Sequence, residues 1–539
     1  MPKFAETVTR WDHALLDRSR EQPAGMWVLL TCLLVWSLCV FGTSRQHAGD
    51  FMDDGEYLVA ARALRDGSGY TLPSRPGNPN ASKYPAGLSL IVAGVLKVVS
   101  SDGSLSSDLR VARSTIAAAG WIFFVCSYLW LRRISVADGL AAALVGVVMF
   151  HPTTLSLSIA VMSDLPFAAL SSVLFLRWAN PARAGTPRPM RSSFIDGLLA
   201  GAAWLVRGNG FTLVLGSIVA ALLHPRRTRR ALACLMGVGT VVALSWASLR
   251  GVSAPGYSAV YQSQFEVYHS FVGGADILWR NTRNVAGALS EVALPILRTN
   301  TMGRWPLIGK FSEVVTLLCI ITGALSLFRQ HRPGRLPLLV HVALTLGVLV
   351  VWPWQIADRM LLGLYPLLLL AFVIGAAAVA RAIFARLVGD RRVVLSAAVA
   401  LCMANVLCMG TLAAWWSWRG GLESSGLDAS LGYVKEHLPP NAIVVSMVPE
   451  LVFLYTGRQG IPMVESTDHL SGRWGRWQPL EHWFMAAPGR PFYLFGDGVE
   501  PRQTAALIEH TPYALREVFR TADNRFAVWW IEHDRSEQG

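Results

Sequence analysis

Asp53 and Asp54 stand side by side in FMDDGEYLVAARALR, just after the first long apolar run, with Glu56 and Tyr57 close behind. Adjacent carboxylates can take a proton from a hydroxyl or hold a divalent cation through oxygen. Either of them can also simply cap a helix N-terminus. Lys83 and Tyr84 follow in ASKYPAGLSL, Asp164 in MSDLPF, Arg207 in LVRGNGF, and Asp358 and Arg359 in WQIADRMLLGLYP. Lysine meets a phosphate as a point charge and arginine as a planar fork. Each residue also has an ordinary explanation. Asp164, after Ser163 and before Pro166, reads as a plain helix start. Arg207 can snorkel, Arg359 can hold an interface, and Lys83 can be plain loop.

The elements that must position these residues are membrane helices. Of the 539 residues, 53% are hydrophobic and only 15% charged, against roughly 25% charged in soluble domains; the mean hydropathy is +0.40. The chain therefore reads as mainly α, a polytopic membrane protein of about eleven spans, each needing about 20 apolar residues. Residues 1–25 are polar and basic and read as cytoplasmic. The first span, 26–42, shows no clear cleavage site and reads as a retained helix. A large outside segment, 43–108, carries the acidic stretch, in which Tyr57, Leu58, Ala61 and Leu64 can share one helical face. Its apolar piece 85–99 is short for a span and reads as an interfacial helix. With that choice every Arg-rich loop falls inside: Arg132-Arg133, Arg183 to Arg191, HPRRTRR, RQHRPGR and Arg381 to Arg392. If 85–99 crossed, most would fall outside, against the Lys/Arg bias that sets orientation. The same topology brings Asp53, Lys83, Asp164, Arg207 and Arg359 to the outer side, and that coincidence points to a shared site.

The formal charge of +13 belongs to these loops and is a topology signal rather than a nucleic-acid surface. All seven cysteines lie in apolar runs, without metal-ligand spacing, and read as packing residues. The tail, 417–539, alternates helical and strand patterns. SLGYVKEHL, PELVFLYTG and TAALIEH read as helices, and AIVVSMV, PFYLFGD and FAVWWIE as strands, so a small outside α/β domain is expected. It carries no nucleophile elbow, phosphate-binding glycine loop or zinc spacing.

DDGEY, KYPAG, SDLPF and the late DR…LYP resemble the lipid-phosphate-sugar-dependent glycosyltransferases of the GT-C superfamily, among them the protein O-mannosyltransferases and the aminoarabinose lipid A transferases. The resemblance covers about 26–416 and, loosely, the tail. It implies a first loop with two interfacial helices and an Asp-Glu motif with Tyr four positions after the Asp. Asp53, four before Tyr57, then takes the place of the catalytic aspartate, and Asp54 stands where the family usually has Glu. Glu56 stands where the aminoarabinose enzymes tend to have Arg. Lys83 precedes Tyr84-Pro85 as a family lysine precedes a proline pair and contacts the phosphate, with Ala86 here in place of the second proline. Asp164 matches a second acidic residue near the catalytic centre.

What the resemblance implies is a glycosyltransferase of the cytoplasmic membrane, with its site and C-terminal domain on the outer side. The donor is a polyprenyl-phosphate-linked sugar, and the acceptor is a lipid, glycan or protein hydroxyl. Asp53 is the general base, Asp164 a second catalytic acid group, and Lys83, Arg207 and Arg359 the phosphate contacts. Asp54, Glu56, Tyr57 and Tyr84 line the substrates, and transfer proceeds with inversion. Membrane lipids are expected partners and nucleic acid is not. No cofactor is required, a divalent cation at Asp53/Asp54 being the minor option. The rival reading is a transporter or flippase of lipid-linked sugars, which would want its polar groups at mid-membrane depth.

Overall fold

The computed structural model describes residues 24–42, 47–49, 53–81, 83–99, 103–179, 190–223, 226–248, 274–295, 306–329, 334–352, 357–384, 426–462, 489–496, 513–522 and 526–532, with a few isolated positions between them. The chain folds as two compact units. One holds Met1–Ser44, Ile116–Ser248 and Val272–Ala414, and the other Arg45–Thr115, Leu249–Phe271 and Trp415–Gly539.

The first unit is a bundle of apolar helices. Across the chain, five described helices are long and apolar enough to cross a membrane: Ala24–Gly42, Leu105–Arg133, Arg227–Ser245, Gly309–Arg329 and Leu362–Ala380. A sixth forms if Asp138–Met149 and Pro152–Ile159, bent by 59°, count as one broken span. Shorter helices at Asp164–Trp178, Met190–Val206, Phe211–Leu222 and Arg335–Val351 fall where the fourth, fifth, sixth and ninth spans were expected. The expected eleventh span, 393–416, lies almost wholly outside the described residues. The bend falls at the end of the expected third span, 134–151, because Pro152 cannot continue a helix hydrogen-bond ladder. A further helix, Gly274–Ala293, sits in what read as an outside loop. Trp27, Leu38, Met236, Leu307 and Phe311 lie exposed on helix faces, as lipid-facing residues do.

Inside the bundle, glycines let backbones touch. A Cβ on Gly323 would lie 1.8 Å from the Ala371 carbonyl oxygen, and one on Gly375 would lie 1.7 Å from that of Cys319. These two positions join helices Pro306–Arg329 and Tyr365–Phe384 in the small-residue packing by which membrane helices associate without a hydrophobic drive.

The second unit combines the first loop with the tail, which the sequence reading had placed in separate domains. Its sheet runs in the order β2-β1-β3-β5-β4, with β1 Ile443–Ser446, β2 Gln459–Pro462, β3 Phe492–Gly496, β4 Ala514–Arg520 and β5 Ala527–Glu532. β1 pairs in parallel with β2 and β3, and β5 pairs antiparallel with β3 and β4. The expected strands at 443, 492 and 527 form; β2 and β4 were not anticipated. TAALIEH lies outside the described residues, whereas 426–437 is helical. Both faces of the sheet are covered, one by Leu431, Val434, Val452, Phe495 and Val528 and the other by Ile461, Leu480, Phe484 and Leu494.

Helix Asp53–Arg65 is buried on more than the single face expected, with every residue from Asp54 to Ala61 buried. It packs against helices Gly87–Val98 and Pro449–Thr456. Gly87–Val98 has 12 residues, about 18 Å of rise, too little for a hydrocarbon core of about 30 Å.

Candidate active site

The acidic stretch begins its helix at Asp53, as expected for an acidic first turn. Asp53 is the aspartate that reaches the surface, its side chain 22% exposed, while Asp54 is buried. Neighbouring helical residues point about 100° apart, since 3.6 residues make a turn. Among the described residues no group of three or more His, Cys, Asp or Glu is arranged to hold a metal ion.

Lys83 and Tyr84 arrive at Asp53 from the loop before Gly87–Val98. The Tyr84 hydroxyl donates to Asp53 Oδ1. Lys83 Nζ stands 3.7 Å from Asp53 Oδ1 and 3.8 Å from Glu56 Oε2, and 4.7 Å from the centroid of the Tyr84 ring. The Tyr84 and Tyr57 rings lie 4.9 Å apart. Tyr70 donates to the Tyr84 carbonyl at 3.0 Å, and Ser89 to the Tyr57 carbonyl at 3.2 Å. Four predicted residues, Asp53, Glu56, Lys83 and Tyr84, are thus joined in one cluster through Lys83, and the Tyr57 ring lies beside that of Tyr84.

Glu56 is buried, and burial pushes its carboxyl above the usual range, against the pull of Lys83 and Arg75. Burial likewise drives the Tyr84 phenol well above its ordinary value, with the Asp53 charge adding to it. Tyr84 is therefore a neutral hydrogen-bond donor. Two residues that sequence reasoning missed complete the cluster. Arg75 Nε and Nη2 donate to Glu450 Oε1 at 3.0 and 2.9 Å, and Arg75 Nη2 lies 3.7 Å from Glu56 Oε2. Burial alone would lower the Arg75 guanidinium, but Glu450 and Glu56 outweigh it and raise it overall. No local pattern signals a pair 375 residues apart; the only trace is an acidic residue after Pro449 at a helix start.

The remaining predicted residues form a second cluster, inside the first unit. Arg207 Nη1 donates to Asp164 Oδ1, and Arg359 Nη2 donates to Asp164 Oδ2 at 3.2 Å. Asp164 heads its helix, yet Ser163 makes no side-chain cap bond, and the carboxylate serves the two arginines. Arg207 follows helix Met190–Val206 in extended conformation before a single 3₁₀ turn, Gly208–Gly210. A Cβ on Gly210 would meet the Ala203 carbonyl oxygen at 2.5 Å, so the turn folds back this tightly only with glycine. Tyr365 donates to the Asp358 carbonyl at 3.1 Å, which ties the short helix bearing Arg359 to the next one. A separate apolar cavity lined by Trp130, Phe175, Trp178, Leu338 and Arg335 contains none of the predicted site residues.

No protein-family model matches the sequence, and no curated protein matches it significantly. Solved structures do. ArnT from Cupriavidus metallidurans in the apo state aligns with a TM-score of 0.55 over 94% of this chain and 98% of its own, at 16% identity. The archaeal oligosaccharyltransferase AglB from Archaeoglobus fulgidus, solved with an inhibitory peptide and a dolichol-phosphate, aligns at 0.52 over 95% of this chain and 74% of its own, at 12% identity. Both are glycosyltransferases of GT-C architecture. This chain has the GT-C fold. Together with the five described helices long and apolar enough to cross a membrane, the fold supports a multi-pass membrane protein.

Proposed function

We propose that this protein is a membrane glycosyltransferase that moves a sugar from a polyprenyl-phosphate donor to an acceptor hydroxyl on the outer face of the cytoplasmic membrane. The observation that carries the reading is the contact of Lys83 with Asp53 in a partly open cluster: a cation for phosphate and a carboxylate for a proton, 3.7 Å apart. The shared fold adds support, since AglB was solved with a dolichol-phosphate.

In this mechanism Asp53 takes the proton of the acceptor hydroxyl as its oxygen attacks the anomeric carbon of the donor. The bond from that carbon to the phosphate oxygen breaks in line, with inversion, and polyprenyl phosphate leaves with the bonding pair. Lys83 stabilises the charge that grows on the leaving phosphate, an effect worth on the order of 3–4 kcal/mol per donor in studied enzymes. Tyr84 and Lys83 fix the orientation of the Asp53 carboxylate. Arg207 and Arg359 are anion-binding groups of the membrane unit. Asp164, proposed from sequence as catalytic, has both oxygens committed to those arginines and acts here as their anchor. Asp54 is buried. A leaving group that is already a phosphate needs little metal help, and a divalent cation at Asp53/Asp54 stays the minor option.

The test is Asp53→Asn in purified protein, with transfer from a panel of polyprenyl-phosphate sugars to membrane extracts. Retained donor binding with lost transfer supports Asp53 as base. Full activity in the variant removes Asp53 from that role. A wild type that binds donor but transfers from none of them favours the flippase reading.

A further inference from the structure

We infer that Glu450, in the C-terminal segment, is a positioning residue for Lys83, acting through Arg75 and Glu56. The inference rests on the reading of Lys83 as the donor-phosphate contact. It makes the tail a builder of the site rather than an appendage beside it.

The contacts form one continuous path within the second unit. Glu450 takes both hydrogen bonds of Arg75 on a single oxygen. Arg75 is left at ion-pair distance from Glu56 Oε2, 3.7 Å, and Lys83 Nζ lies 3.8 Å from that same oxygen. The side chains of Glu450 and Glu56 are 5% and 4% exposed, so neither charge is dispersed by water. Arg75, its side chain 27% exposed, faces two carboxylates whose buried charges favour an ion pair with it. With Glu450 present, Arg75 is satisfied without claiming Glu56, which remains available to hold the ammonium of Lys83. Without the Glu450 charge, Glu56 is the carboxylate left beside Arg75, at 3.7 Å, and Arg75 competes with Lys83 for it.

The backbone is arranged to keep Arg75 in place. The Gly460 amide donates to the Ser74 carbonyl at 2.7 Å. Gln459 Nε2 donates to the carbonyls of Pro73 and Arg75 at 3.3 and 3.2 Å. Strand β2 thus grips the first loop on both sides of the arginine. On the catalytic helix, a Cβ at Gly55 would sit 3.0 Å from Glu450 Cβ. Any larger residue there would press Glu450 back by a few tenths of an ångström, so glycine suits this close approach.

The experiment is Glu450→Gln in the full-length protein, which keeps the shape and removes the charge. Two readouts are taken. One is the acetylation rate of Lys83 by acetic anhydride, followed by mass spectrometry against the exposed Lys97. The other is the KM for a polyprenyl-phosphate sugar set against kcat. Lys83 should label faster, having lost an ion-pair partner. Donor KM should rise on the order of tenfold, the scale of a lost charged hydrogen bond, with kcat less affected. Glu450→Asp should restore part of both, and Glu56→Gln added to Glu450→Gln should change little more, since the two act along one path. Unchanged labelling and KM in a folded Glu450→Gln overturn the inference, even if its melting temperature falls. If that variant does not fold, Glu450→Asp and Arg75→Lys carry the same readouts. If wild type neither binds nor transfers any donor while Glu450→Gln still alters Lys83 labelling, the coupling stands and the transferase reading fails.

Discussion

Two clusters in this protein are built from the same ingredients, a carboxylate and its cations, and they differ in access to solvent. Asp53 is 22% exposed, and its partner Lys83 is 43% exposed. The Asp164 side chain is fully buried, with Arg207 at 10% and Arg359 at 23%. A partly exposed carboxylate beside a more exposed ammonium can exchange its partners for a substrate. A buried carboxylate with a guanidinium on each oxygen cannot do so without breaking both ion pairs. Residue type alone would assign both clusters the same chemistry; exposure separates one suited to reaction from one suited to holding.

The comparison is broken most directly at Asp53. Asp53→Asn should lower transfer by about 10²–10⁴-fold, the range for a general base, while its thermal unfolding in detergent stays close to wild type. Asp164→Ala should behave in the opposite way, destabilising the protein by about 3–5 kcal/mol because the buried Arg207 and the partly buried Arg359 lose this anion. If Asp164→Ala melts like wild type but is inactive, the two roles are exchanged.

Lys83→Met should weaken binding of polyprenyl phosphate, measured by tryptophan fluorescence, by about tenfold or more, in keeping with about 1.5–3 kcal/mol for a hydrogen bond to a charged group. The smallest effect is expected at Glu56. Its folded-state carboxyl is raised above the model-peptide value of 4.5, burial being the main cause. Such a group favours the fold while protonated, so its contribution is full below that value and is lost as pH rises through its folded pKa. Melting temperature followed upward from pH 4.5 should therefore fall less steeply in Glu56→Gln than in wild type. Identical slopes would show that Glu56 does not titrate in this way.

The apolar periodicity and basic loops were enough to read a polytopic bundle, because lipid-facing helices must be apolar and Lys/Arg bias is written into short loops. The acidic first loop, Lys83 and Tyr84 were legible as a site because they lie within about thirty residues of one another and the chain can close so short a loop at little entropic cost. The placing of Asp164 at a helix start was legible too, but its ion pairs with Arg207 and Arg359 were not. A cap and a two-arginine anchor look alike in sequence, and only the folding back of the Gly208–Gly210 turn brings Arg207 onto the carboxylate. The grouping of the first loop with the tail, and with it the Glu450–Arg75–Glu56 path, was decided by tertiary structure alone. Its partners are 375 residues apart, and no local pattern encodes which buried charge a distant helix will meet. The sequence by itself determined which segments are apolar and which residues can do chemistry. The tertiary structure decided which of those residues stay open to a substrate, because burial is a property of packing between segments and not of any one of them.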